Sequence, residues 1–214
     1  MKNFLNRIRT PLPGSRSQEF LHSTFILAAG ILLGIVAKFL DETPVNHLPY
    51  LLQQMDLANF FSRLGVWIFL AVLISLFSRS PFRAATGVFL FFSGMTASYY
   101  LYTIFVAGFF PRSYMMIWIV LTLLSPLAAF ICWYARGRGS VSLILSSGIL
   151  MVMTRQAFSL GFWYLDPVSI PEFFLWAATI GVLYQSPEQI LKTATLGSGF
   201  TFLSMFFHFP GGIL

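Results

Sequence analysis

The chain has 214 residues, of which 57% are hydrophobic and only 9% are charged. A soluble domain carries about 25% charged residues, so this composition excludes an ordinary soluble enzyme and indicates an integral membrane protein. The net charge of +6 is spread over short segments between apolar runs. That distribution is typical of a membrane topology signal and argues against nucleic-acid binding. The single cysteine, Cys132, excludes an internal disulfide, and no spacing of cysteines and histidines predicts a metal or cofactor site.

Seven apolar segments are candidate transmembrane helices, because a helix needs about 20 mostly apolar residues to cross a bilayer. In chain order they cover about 20–40, 60–78, 84–106, 114–135, 140–160, 171–185 and 193–209. The last two are the weakest candidates and could instead form a re-entrant pair. We therefore predict an all-α, polytopic helical bundle, with a basic segment at 1–19, one bundle domain at 20–209 and a short tail at 210–214.

Basic residues are distributed unevenly between the loops. Nine of them fall on one side of a seven-span topology: Lys2, Arg7, Arg9, Arg16, Arg79, Arg83, Arg136, Arg138 and Lys192. The opposite loops carry only Arg112, together with five carboxylates: Asp41, Glu42, Asp56, Asp166 and Glu172. The positive-inside rule therefore places the N-terminus in the cytoplasm and the C-terminus outside.

Two segments outside the spans have patterns of their own. The first outer loop, 41–59, is broken by Pro44 and Pro49, and we predict a short amphipathic helix on the outer surface. Near the N-terminus, Leu5 and Ile8 lie among basic residues. This start is compatible with either a short interfacial helix or a disordered basic tail.

Small residues and one proline mark features within the spans. Gly30 and Gly34 in the first span, and Gly94 and Ser98 in the third, have the small-xxx-small spacing of helix–helix contacts. Pro126 is expected to kink the fourth span, because it removes a backbone donor.

Polar side chains within the predicted spans concentrate in the outer half of the membrane. Arg155 lies well inside the fifth span, and Lys38 and Arg63 lie near the outer ends of the first and second. Tyr99 and Tyr100 lie in the outer half of the third span. A charge at a helix centre costs about 2.5–3.5 kcal/mol on the insertion scale, so these cations need partners or water.

Two interpretations of these residues stay open. In the first, Lys38 and Arg63 extend to the outer interface, Arg155 pairs with an outer aspartate such as Asp166, and the tyrosines form an aromatic belt. In the second, the same five side chains line an outward-facing substrate-binding pocket. No carboxylate lies in the middle of any predicted span, which argues against a proton- or sodium-coupled carrier.

Several segments resemble a family of small bacterial polytopic membrane proteins of unknown function. They are AKFLD (37–41), FFSRLGVWIFLAVLIS (60–75), SYYLYT (98–103), GFFPRSYMMIW (108–118) and SPLAAFICWYARG (125–137). The resemblance covers about two-thirds of the chain. It implies a bacterial inner (cytoplasmic) membrane and carries over no activity. The size and topology are also similar to the substrate-binding membrane subunits of energy-coupling-factor transporters, although those have six spans.

The leading functional hypothesis is a substrate-binding or permease-like protein that takes a polar or anionic small molecule. The alternative is an accessory subunit that contacts a membrane or cytoplasmic partner through Arg79, Arg83, Arg136 and Arg138. A third hypothesis is an outer-leaflet enzyme acting on a lipid-linked substrate, with Asp41 or Asp56 as the acid or base. The sequence contains none of the usual catalytic motifs, so we favour a protein that is not an enzyme.

Overall fold

The computed structural model describes residues 2–108, 112–161 and 163–206, and these are mostly helical, which confirms the all-α prediction. The α-helices are α1 (Lys2–Ile8), α2 (Arg16–Glu42), α3 (Tyr50–Gln54), α4 (Leu57–Ser62), α5 (Leu64–Phe77), α6 (Pro81–Tyr102), α7 (Arg112–Cys132), α8 (Gly139–Ala157), α9 (Ile170–Leu183) and α10 (Pro187–Phe206). Short 3-10 turns cover Val45–His47 and Trp133–Arg136, and a π-helical turn covers Thr103–Ala107. The antiparallel strands β1 (Phe158–Leu160) and β2 (Leu165–Pro167) form a hairpin between α8 and α9. The predicted tail 210–214 and the end of the seventh predicted span lie outside the described residues.

Each of the seven predicted spans contains a helix, but they differ in length. Among the described residues, four helices are long and apolar enough to cross a membrane, and they cover Ser17–Glu42, Pro81–Val106, Arg112–Arg136 and Gly139–Ala157. The apolar helices α5 and α9 have only 14 residues each. At 1.5 Å per residue each is about 21 Å long, less than the roughly 30 Å hydrocarbon core of a bilayer. Helix α10 has 20 residues, but it is richer in Thr, Gly and Ser than the short apolar helices α5 and α9.

Contacts between helices show their relative directions. Along α2 and α6, Glu19 pairs with Arg83, and the Ser98 hydroxyl donates to the Ile31 carbonyl at 2.9 Å. Residue numbers rise together along this pair, so the two helices are parallel. Helices α8 and α10 are parallel for the same reason, whereas α5, α7 and α9 run the opposite way. The bundle therefore has two ends, which we call the basic end, with Arg9, Arg79 and Arg83, and the pocket end, with Lys38, Arg63 and Arg155.

Glycine allows α2 and α6 to touch closely. A Cβ atom on Gly30 would lie 2.2 Å from the Phe91 carbonyl oxygen, and one on Gly34 would lie 2.2 Å from the Ser98 hydroxyl. A Cβ on Gly94 would lie 2.8 Å from the Leu27 carbonyl oxygen. The small-residue contacts predicted for the first and third spans are confirmed, and they hold α2 and α6 in a fixed register.

At the basic end, the N-terminal segment folds back onto the bundle. Helix α1 ends at Ile8, which is buried against Ala84 and Trp133. Arg9 follows it and donates to the carbonyl oxygens of Trp133 at 2.5 Å and Leu76 at 2.9 Å. Burial, and to a lesser extent the charge of Arg136, lowers the pKa of Arg9 to about 10, so it stays charged at neutral pH. The segment is therefore a helix docked on the bundle and not a disordered tail, and its position at a membrane interface stays a prediction.

The structure corrects two boundaries at the pocket end. The predicted fifth span, 140–160, ends as a helix at Ala157, because β1 begins at the next residue. Arg155 is thus in the last turn of α8, where a cation interacts favourably with the helix dipole. The loop 41–59 contains two short helices, α3 and α4, instead of one, because Asp56 adopts a left-handed conformation (φ 48°) between them.

Candidate functional site

The Lys38 side chain lies in the last part of α2, where it is buried and pairs with two carboxylates. The residue is 2% exposed, and its Nζ lies 2.9 Å from Asp41 Oδ2 and 2.6 Å from Glu42 Oε1. The spacings i,i+3 and i,i+4 put these groups on one helix face. An ammonium group buried at this depth needs such compensation. The surplus carboxylate leaves this cluster with a net negative charge.

Tyr99 extends the cluster from α2 to α6. Its hydroxyl donates to Asp41 Oδ2 at 3.1 Å, and Lys38 Nζ lies 5.3 Å from the centre of its ring. That distance is within the range of a cation–π interaction. One Asp41 oxygen therefore accepts from an ammonium and a phenol at once, which fixes the carboxylate relative to both helices.

Tyr100 is the next residue on α6, and its hydroxyl is buried. The residue is 5% exposed, and its hydroxyl has no hydrogen-bond partner among the described residues. Leaving a buried hydroxyl unsatisfied costs about 1–3 kcal/mol. Such groups are rare in native proteins, and each one calls for an explanation.

Both tyrosines line a cavity at the pocket end, between α2, α4, α5, α6 and α7. Its aromatic wall consists of Phe61, Trp67, Tyr99, Tyr100, Tyr114 and Trp118, and Asp41 and Thr96 add polar atoms. The cavity volume is about 40 Å³. One water occupies about 10–15 Å³ on this measure, so the cavity has room for only a few non-hydrogen atoms.

Hydrogen bonds satisfy the polar groups of helix α7 around Pro126. Pro126 lies inside this helix, and having no N–H it cannot bond to the Thr122 carbonyl. The Ser125 hydroxyl donates to that carbonyl at 2.8 Å instead. The Thr122 hydroxyl pairs with that of Thr96 across the interface with α6 at 3.2 Å. The Ser125 bond stays within α7, and the Thr96–Thr122 bond joins α6 to α7 next to the tyrosines.

Arg63 belongs to a different cluster. Its Nη1 lies 2.9 and 3.0 Å from the two carboxylate oxygens of Glu172, which is 1% exposed. Glu172 is in the first turn of α9, and the hydroxyl of the N-cap residue Ser169 donates to it at 2.5 Å. The carboxylate also interacts favourably with the positive end of the helix dipole. This ion pair joins the N-termini of the two short helices α5 and α9.

Arg155 occupies a third position. Its Nη1 donates to the Ser204 hydroxyl on α10 at 3.1 Å. Within the part of the chain that the structure describes, no carboxylate pairs with it, and Asp166 lies on β2 of the hairpin. The bond ties α8 to its parallel neighbour α10.

The structure therefore brings together three of the five predicted site residues. Tyr99 and Tyr100 line the cavity, and Lys38 is joined to Tyr99 through Asp41, whereas Arg63 and Arg155 each take part in a separate contact between helices. No contact supports the prediction that all five residues share one site.

Sequence reasoning missed four residues. Trp67, Tyr114 and Trp118 line the cavity from α5 and α7, but the sequence gives no sign that they would meet α6. Glu172 was assigned to an outer loop, although Ser169 and Glu172 have the S-x-x-E spacing of a capping box. That spacing was the available signal that Glu172 begins a helix.

Two further predictions concern other residues. Asp56 accepts hydrogen bonds from the Asn59 side chain at 2.8 and 3.0 Å and does not line the cavity, so Asp41 is the carboxylate at the site. The basic loops are engaged within the chain: Arg138 N donates to Ile8 O at 2.8 Å, and Leu12 N donates to Arg79 O at 2.8 Å. Among the described residues there is no group of three His, Cys, Asp or Glu side chains that could hold a metal ion.

Comparisons of this chain with protein-family models, with curated proteins and with solved structures found no match.

Proposed function

We propose that this chain is a multi-pass protein of the bacterial inner membrane with a substrate-binding role, alone or within a permease. Its ligand presents a small polar group to the cavity at the pocket end. The observation that carries the proposal is the buried hydroxyl of Tyr100, which has no partner among the described residues and lines an aromatic cavity. A ligand atom that bonds to this hydroxyl would remove its desolvation cost.

The charges around the cavity favour an amine over an anion. Lys38 is already paired with Asp41 and Glu42, and Arg63 is paired with Glu172, so neither cation is left to attract an anionic ligand. The cavity instead combines Asp41, one of two carboxylates that share the single Lys38 cation, with six aromatic rings, so its surplus charge is negative. Aromatic walls bind ammonium groups through the negative faces of their rings. We therefore replace the anionic ligand expected from the sequence with an amine-bearing one.

The proposal includes seven alternating spans with the pocket end outside. The alternating helix directions and the positive-inside distribution of Arg and Lys support it. The short helices α5 and α9 would be completed across the membrane by the segments that precede them at the pocket end. These are α3 and α4 before α5, and the β-hairpin before α9.

Cysteine labelling tests the orientation. In a Cys132→Ser background, an impermeant thiol reagent should label Gln54→Cys in intact cells. It should label Ser140→Cys only after permeabilisation. Both positions are exposed, one at each end of the bundle. The reverse pattern would overturn the proposed orientation.

Ligand binding is tested with ethanolamine as the probe. The protein in nanodiscs is titrated while tryptophan fluorescence is recorded, because Trp67 and Trp118 line the cavity. We expect saturable binding of ethanolamine, much weaker binding of ethylene glycol, and none of acetate. Tyr100→Phe should abolish the response. The matched control is Tyr102→Phe, which makes the same change two residues away and outside the cavity lining. Equal responses of the two variants would contradict the proposal.

A further inference from the structure

A second, larger hollow lies directly below the cavity, between α5 and α7 with α6 as its floor. It has a volume of about 290 Å³. This is nearly twice the roughly 150 Å³ of an engineered apolar cavity that binds benzene. We call it the apolar groove. Its lining includes Leu64, Ile68, Val72, Phe92, Leu121 and Leu124.

The apolar groove adjoins the cavity, because Trp67 and Trp118 line both. Their rings are 6.3 Å apart and pack edge to face. On α7 the groove extends from Trp118 to Cys132, which is about 21 Å at 1.5 Å per residue. It therefore runs along the helices through much of the hydrocarbon core, starting at the aromatic cavity.

The groove presents almost no polar groups of its own. Its two hydroxyls are already bonded to their own helices, Ser75 to the Ala71 carbonyl at 2.6 Å and Ser125 to the Thr122 carbonyl at 2.8 Å. A hydrocarbon chain can lie against such a surface without burying an unsatisfied polar atom. The cavity above has the opposite character, with the carboxylate of Asp41 and the free hydroxyl of Tyr100.

We infer that the ligand is an amine-bearing membrane amphiphile. Its amine occupies the cavity, and its hydrocarbon chain lies in the apolar groove. This inference rests on the proposed function and adds the class of ligand. The sizes require two compartments: the cavity of about 40 Å³ holds only a headgroup fragment, and the groove of about 290 Å³ takes the chain.

The hydrocarbon chain of the ligand should position the amine and contribute little to the free energy of binding. Lipid tails are as apolar as the groove, so moving a chain from the bilayer into the groove gains little hydrophobic free energy. The protein therefore selects its ligand by the amine. The hydrocarbon chain of the ligand holds the amine at the cavity from within the membrane. Ligands must accordingly be compared at equal concentration in the bilayer.

The test uses the full chain in phosphatidylcholine nanodiscs and two probes, decylamine and decanol, each brominated at the chain end. Bromine quenches tryptophan on contact, and Trp67 and Trp118 mark the entrance to the groove. At equal mole fraction in the bilayer, we expect the brominated amine to quench saturably. The brominated alcohol should quench at least about tenfold more weakly.

A groove-filling variant separates the two compartments. Ala128 lines the groove from α7 but is exposed, so Ala128→Phe should fill the groove without disturbing the packed core. We expect it to weaken quenching by the brominated amine about tenfold while ethanolamine binding stays unchanged. The matched control, Ala28→Phe, makes the same change at an exposed position on α2 and should have no effect.

The outcomes distinguish this inference from the proposed function. If ethanolamine binds and Ala128→Phe leaves the amine amphiphile unaffected, the amphiphile inference is overturned and the headgroup site stands. If neither ethanolamine nor the brominated amine responds to Tyr100→Phe, the proposed function itself fails. If the brominated amine and alcohol quench equally, the groove holds ordinary bilayer lipid and the inference is overturned.

Discussion

The two ends of the bundle differ in the hydrogen-bond partners of their polar side chains. At the basic end, the Arg9 guanidinium lies on two main-chain carbonyls, and the Trp133 indole donates to the Ser78 carbonyl at 2.7 Å. At the pocket end Lys38 and Arg63 are paired with carboxylates, yet the Tyr100 hydroxyl has no partner among the described residues. One buried atom near the basic end, Gln189 Oε1, also lacks a partner there, but it does not line the aromatic cavity. The Tyr100 hydroxyl does line that cavity, and an unsatisfied group at a cavity points to a ligand.

The ion pairs at the pocket end also differ in whether they join helices or lie at the cavity. The Arg63–Glu172 pair joins α5 and α9, whereas Asp41 of the Lys38–Asp41 pair lines the cavity. Two ion pairs at the same end of the bundle therefore have different expected roles.

Removal of Arg63 should have the largest effect on stability. Arg63→Ala leaves the carboxylate of Glu172 buried without a cation, and we expect a loss of about 3 kcal/mol in the free energy of unfolding. Glu172→Gln should cost less, because the Arg63 side chain is 41% exposed and can be solvated. Denaturant unfolding in detergent measures both. A larger loss for Glu172→Gln would contradict this assignment, as would a loss of ethanolamine affinity in folded Arg63→Ala.

Arg9→Gln should destabilise the basic end by about 2 kcal/mol, since hydrogen bonds to a charged group contribute about 1.5–3 kcal/mol. The docked N-terminal helix should also become more accessible to protease. Arg7→Gln is the matched control, because Arg7 is exposed on the same helix. Limited proteolysis and thermal unfolding provide the measurements. Ethanolamine affinity should not change, and a change would mean that the two ends are coupled.

Asp41→Asn should reduce ethanolamine affinity about tenfold, which corresponds to about 1.4 kcal/mol. The change removes the carboxylate charge from the cavity and keeps the side-chain shape. Glu42→Gln is the control, because Glu42 also pairs with Lys38 but does not line the cavity. Fluorescence titration of the two variants gives the comparison. If Glu42→Gln weakened binding as much, only the charge of the Lys38 cluster would matter and not the position of Asp41.

Tyr100→Phe should have the smallest effect on folding, and one of unusual sign. The variant removes a buried hydroxyl that lacks a partner, so we expect it to be equal to the parent or up to about 1 kcal/mol more stable. Ligand-induced stabilisation should disappear at the same time. Thermal unfolding with and without ethanolamine measures both quantities. A clear loss of stability without ligand would show that the hydroxyl is already satisfied in the protein.

Much of the helical framework could be predicted from the sequence, because apolar runs report directly on burial in a membrane or core. The seven helical segments and the close helix contact at Gly30 and Gly34 follow from composition and spacing, whereas the identity of the partner helix, α6, does not. The small-residue spacing succeeded because it describes a surface of a single helix. The predicted end of α8 is too late, since the β1 residues Phe158 and Leu160 are apolar and extend the hydrophobic run beyond the end of the helix at Ala157.

The candidate site was only partly predictable. Lys38 and its carboxylates lie within five residues on one helix, so helical spacing alone relates them. The partner of Arg63 lies 109 residues away, and although the capping-box spacing marks Glu172 as the start of a helix, nothing local relates it to Arg63. The aromatic wall is assembled from α4, α5, α6 and α7, which contribute residues that are individually ordinary for a membrane protein.

The sequence by itself thus determined the class of protein, its helical segments and the clustering of intramembrane polar residues toward one end. These depend on the transfer of single residues and single helices out of water. The tertiary structure decided which charges are paired, that Tyr100 keeps a free hydroxyl among the described residues, and that the cavity adjoins an apolar groove. Those features depend on which helix faces meet, and packing between elements distant in the chain sets that arrangement.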